Sequence, residues 1–113
     1  MADDDEPARH AAPPGPARAA AVARWLHLTR VALPALAAAH RWPVHADHCL
    51  MRVCLDAAIG APWHERVRRP ALRHLDDAQL ARAIAIAEGI AADPASLPAL
   101  NRASLAMRGK APG

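Results

Sequence analysis

Phenylalanine and tyrosine are absent from this chain, and lysine occurs once, at Lys110. Three tryptophans, Trp25, Trp42 and Trp63, carry all of its aromatic surface beyond the histidines. Cysteine is scarce: Cys49 and Cys54 are the only two, and no Cys-x-x-Cys occurs, which excludes a zinc ribbon or a dithiol redox motif. Five residues apart on one helix, they lie about 140° apart around its axis and cannot bridge each other. Long apolar runs are missing as well. The longest uncharged stretch, Val31 to Ala39, is far too short to span a bilayer, and the acidic start lacks a signal-type apolar segment. A cytosolic location without a membrane partner is the default expectation. Sustained alternation of β-branched residues, the mark of a sheet, is also absent.

What remains is rich in Ala, Leu, Val and Ile, a composition that favours closely packed helices. The fold expected is all-α, a compact bundle of about four helices at 18–40, 47–59, 76–91 and 97–108. An irregular basic connector at 61–75 separates the second from the third. Residues 1–17 read as a disordered acidic, proline-rich tail, with Asp3, Asp4, Asp5 and Glu6 followed by Pro7, Pro13, Pro14 and Pro16. Residues 18–113 then form a single domain. Charge is divided along the same line. Up to residue 17 there are four acids and one base; from Arg18 onward thirteen bases face seven acids.

Local signals mark the helices. Val22, Trp25, Leu26, Leu28, Leu33 and Leu36 recur at helical spacing in the first, where Pro34 should bend or restart the chain. Its basic polar face suits a membrane surface or a partner groove, or is simply the solvated side of a core helix. Asp47 is a candidate N-cap for the second helix and Gly60 its stop. Asp76 with Gln79 makes a capping box for the third, whose apolar face is Leu80, Ala83, Ile84, Ala87 and Ile90. Asp93-Pro94 and Ser96 offer two starts for the fourth. There Leu97, Leu100, Leu105 and Met107 can face the core while Asn101, Arg102, Ser104 and Arg108 form a polar side.

Chemistry concentrates in HADHCLMRVCLDAAIG, residues 45–60. At roughly 100° per residue, His45, His48, Cys49, Arg52 and Asp56 share one side of a helix. Four readings compete. In the plainest, Arg52 and Asp56 form an i,i+4 ion pair and Cys49 packs as a small hydrophobe. In the second, Cys49, His48 and Asp56 are catalytic, the thiol activated by the helix N-terminus and Arg52, with His45, His64 or His74 as base. A metal shared by His45, Cys49 and one of Asp56, His40 or His64 is the third, although no spacing demands it. The fourth is an anion site in which Arg52, with His45 and His48 nearby, meets a phosphate or carboxylate.

A rival use of the chain lies in WHERVRRPALRH, where Arg66, Arg68, Arg69 and Arg73 stand against Glu65 alone. Arginine forks beside Trp63 suit a phosphate backbone, which would make this a nucleic-acid or protein-interaction module; a solvated connector is the simpler reading.

The stretches RWPVHADHCLMRVCLDAAIGAPW, HLDDAQLARAIAIAEGI and NRASLAMRGK resemble a small helical family found in bacteria and fungi. Its members carry His-Cys-x-x-Arg-hydrophobic-x-Leu-Asp, then Gly and Trp, a capped helix, and a closing Asn-Arg-x-Ser-Leu-x-x-Arg. The likeness covers about residues 41–110. Such sequences bear the label of acetyl-CoA-dependent N-acetyltransferases, so the resemblance implies acetyl transfer as an expectation. His48, Cys49, Arg52 and Asp56 are then the residues to watch. Arg108, in the closing motif, is expected to bind ligand beside Arg52 and His45. That superfamily has a central sheet and an Arg/Gln-x-x-Gly-x-Gly/Ala pyrophosphate loop; neither is found here, and the cofactor stays unknown.

Overall fold

A computed structural model describes residues 15–109. Among these there are helices and connections and no strand. The fold is all-α, and among the described residues no single helix is long and apolar enough to cross a membrane.

α1 runs Pro16–His27, a five-residue π-helical turn follows at Leu28–Ala32, and α2 continues Leu33–His40. Where Pro34 is expected to bend or restart the first helix, the chain widens into the π turn ahead of it and resumes as α2. Lacking an N–H, Pro34 cannot bond to the carbonyl four residues back, and the widened turn absorbs the defect, with the Leu33 N–H reaching Leu28 O. Thr29, fully buried in that turn, donates its hydroxyl to Trp25 O at 2.9 Å. The tail boundary expected at residue 17 falls inside a helix, since Pro16 and Ala17 open α1, proline standing at the first position where its missing donor costs nothing. Residues 1–14 lie outside the described residues.

α3 spans Asp47–Ile59 and ends on Gly60, whose φ of 80° needs a residue without a Cβ. Its N-cap is Ala46, so Asp47 sits one place inside, where a carboxylate still favours the positive end of the helix. The connector holds a 3-10 turn at Trp63–Glu65 and the one-turn helix α4, Ala71–His74. α5, Asp77–Ala92, starts from the expected capping box: Asp76 accepts from Gln79 N at 2.7 Å and Gln79 Oε1 accepts from Asp76 N at 2.9 Å. A 3-10 turn, Pro94–Ser96, leads into α6, Leu97–Met107.

α3 packs against both α5 and α6, and α1 with its π turn closes over α5 and α3. Trp25, Leu28, Leu33, Leu50, Val53, Leu80, Ile90 and Leu97 are at most 2 % exposed. Each buried leucine contributes about 1.5–3 kcal/mol through removal of its surface from water. One helix departs from its expected orientation. On α6 Asn101 and Ser104, from the side read as polar, are buried against Arg52 of α3, while Met107, read as able to face the core, is 39 % exposed.

Candidate functional site

Arg52 and Asp56 stand one turn apart on α3, and Asn101, Ser104 and Arg108 recur at three and four residues along the end of α6. Both spacings place their side chains on one face. Where α3 and α6 meet, these two polar stripes close on each other.

The centre is Asp56, with no exposed surface. Its Oδ1 accepts from the Trp63 backbone N–H at 2.8 Å and from Arg108 Nη2 at 3.0 Å. Its Oδ2 accepts from Arg108 Nε at 2.8 Å and from Ser104 Oγ at 2.6 Å. Burial pushes the Asp56 pKa up, but the hydrogen bonds from Arg108, Ser104 and the Trp63 N–H, with the Arg108 charge, outweigh it. The carboxyl is held below its ordinary value. Arg108 is shifted up in turn, chiefly by its hydrogen bond to Asp56, against the opposing effect of burial.

The i,i+4 ion pair expected between Arg52 and Asp56 is not formed. Arg108, reaching across from α6, presents a two-pronged fork to the carboxylate and takes that place. Arg52 instead donates from Nη1 to Ser104 Oγ at 2.6 Å and from Nη2 to Asn101 Oδ1 at 2.8 Å. Ser104 accepts from Arg52 and donates to Asp56, so a single hydroxyl links the two. Asp56 thus orients Arg52 only through Ser104.

Arg52 also lines a groove of about 430 Å³. Trp25 and Leu26 of α1, Met51 and Leu55 of α3, Trp63, and Pro70 to Leu72 make its walls apolar. Arg30, Arg52, Arg69 and His48 also line it, and no carboxylate among the described residues does. The Arg69 guanidinium lies over the Trp63 ring, 5.8 Å from its centroid. A second groove, of about 340 Å³ between α1 and α5, differs in charge. Its Asp77 and Glu88 pair with Arg18 and Arg24, both at 2.9 Å, so its charges are already matched.

The remaining sequence candidates scatter. His45 is exposed and precedes α3, so it does not share the helical face expected of it. The His48 side chain is 82 % exposed, 3.9 Å from Asp47, a separation at which an exposed pair contributes little. Cys49 is half-buried and does not line the groove. Cys54 is buried in the core, and that burial pushes its thiol up to about 12. Among the described residues no three His, Cys, Asp or Glu side chains are placed to share a metal ion. Arg66, Arg68, Arg69 and Arg73 are all exposed, but only Arg69 reaches the groove.

Sequence reasoning missed Asn101, Ser104, Arg30 and the Trp63 N–H. A signal existed for the first two, because Asn101, Ser104 and Arg108 form a polar stripe with the period of a helix. No family model matches the chain, and comparison with curated proteins and with solved structures finds no match either.

Proposed function

We propose that the protein binds a small amphipathic anion in the groove beside α3, its apolar part against Trp63, Met51, Leu55 and Leu72 and its head group at Arg52. The observation that carries this reading is the lining itself: three arginines, Arg30, Arg52 and Arg69, line an otherwise apolar groove, and no carboxylate of the described residues lines it with them. Concave apolar walls with a few convergent polar groups are what a small-molecule site requires. Charges gathered on one sign select what enters.

The resemblance to acetyltransferase-labelled sequences extends this proposal to an acyl ligand and group transfer. His48, on the groove, is then better placed to take part in that chemistry than Cys49, which does not line it. Binding is tested by titrating the protein with decyl phosphate, decanoate and decanol in a calorimeter. Both anions should bind and weaken as salt rises, with the alcohol at least about tenfold weaker, since a partly buried charge pair is worth more than 1 kcal/mol. Equal binding of alcohol and anions would overturn the reading.

A second use is favoured by one observation, the exposure of Arg66, Arg68 and Arg73 beside the Arg69–Trp63 stack. It is a nucleic-acid surface, for which binding to generic DNA and RNA should fall steeply between low and moderate salt.

A further inference from the structure

Resting on that functional reading, we infer that Asn101 and Ser104 are positioning residues that fix Arg52 while leaving its positive charge free for the ligand. A half-buried guanidinium is ordinarily held by a carboxylate, which orients it and cancels it together. Here the two terminal nitrogens of Arg52 are held by an amide oxygen at 2.8 Å and a hydroxyl oxygen at 2.6 Å, both neutral. The holders are themselves fixed, Asn101 at 5 % and Ser104 at 1 % exposure. Among the described residues Arg52 forms no ion pair, and Asp56, one turn further along α3, is engaged by Arg108 on both of its oxygens.

Arg108 therefore takes the buried carboxylate, and Arg52, whose holders are neutral, is the arginine that lines the groove. A guanidinium carries five N–H donors, and Arg52 spends two of them on these neutral acceptors. The others have no protein partner among the described residues, so a head group meets an oriented donor set without first breaking an ion pair. Pre-organisation of this kind raises affinity by lowering the cost of ordering the site. Asn101 is the specificity element, because a carboxylate of the same shape at that position would hold Arg52 as firmly and abolish its charge.

Asn101→Asp tests this with decyl phosphate and decanol as probes. The aspartate supplies an anionic partner of nearly identical shape, so affinity for decyl phosphate should fall about tenfold or more, the size of one partly buried charge pair. Affinity for decanol should be unchanged. Ser104→Ala, which removes a holder without adding charge, should lose only about threefold for decyl phosphate, the loss of one modest hydrogen bond. Wild-type affinity for decyl phosphate in Asn101→Asp would overturn the inference and leave the functional reading standing. So would a parallel loss of decyl phosphate and decanol, or a loss in Ser104→Ala as large as that in Asn101→Asp. A wild-type protein that does not bind decyl phosphate would overturn the functional reading and this inference with it, before any variant is made.

Discussion

Two turns of one helix carry the residues with chemistry, and they meet different fates. In the first turn of α3, His48 projects to solvent and Cys49 is half-buried, and among the described residues neither is held by a side chain from another helix. Three residues further on, Arg52 and Asp56 are gripped from α6 by Asn101, Ser104 and Arg108, and from the connector by Trp63 N. Of the first-turn pair only His48 reaches the groove. Side chains from several elements converge instead on Arg52 and Asp56, away from the cysteine.

The largest break in this comparison should come at Asp56. Asp56→Ala leaves Arg108, the Ser104 hydroxyl and the Trp63 N–H without their shared acceptor, and removing one partner of a buried pair costs about 3–5 kcal/mol. Urea denaturation should show a loss of that order, whereas His48→Ala at the exposed first turn should change stability by less than about 0.5 kcal/mol.

Acid sharpens the same contrast. The Asp56 pKa is lower in the folded chain than in the unfolded one, so the stability it contributes is fully present above the unfolded value of about 3.9. That contribution is lost as pH falls from there through the lower folded value. Unfolding followed between pH 6 and pH 2 should show this decline, and Asp56→Asn, lacking the ionisation, should start lower and decline less.

A smaller effect separates the two thiols. Cys49 is half-buried in the first turn, whereas Cys54 has no exposure and its thiol is pushed up to about 12. An alkylating reagent near neutral pH should label Cys49 well before Cys54, followed by mass spectrometry. Equal, slow labelling of both would place Cys49 in the core too.

The parts of this architecture legible in the sequence are the local ones. The capping box of Asp76 and Gln79, the stop at Gly60 and the Leu80–Ile90 face depend on residues within a turn or two of each other. The π turn before Pro34 was not legible, because proline forbids one bond without saying whether the helix breaks or widens around it. The orientation of α6 was misread for a different reason. Asn101 and Ser104 count as outward residues by type, and only partners about fifty positions away, Arg52 and Asp56, make their burial favourable. Arg52, Asp56 and Arg108 stand out in the sequence by type and spacing, but which carboxylate pairs with which arginine is decided by packing. The i,i+4 spacing suggested one pair, and the two-pronged approach of Arg108 produced the other.

The central claim is that ligand recognition belongs to the Arg52 turn and not to the cysteine turn. The direct measurement is the affinity for decyl phosphate of Arg52→Ala and of Cys49→Ser, compared with the wild type by calorimetry, with helix content checked by circular dichroism. The account predicts a loss of about tenfold or more in Arg52→Ala and wild-type affinity in Cys49→Ser, both remaining helical. A folded Arg52→Ala that binds as the wild type does, or a Cys49→Ser that loses binding, would contradict it.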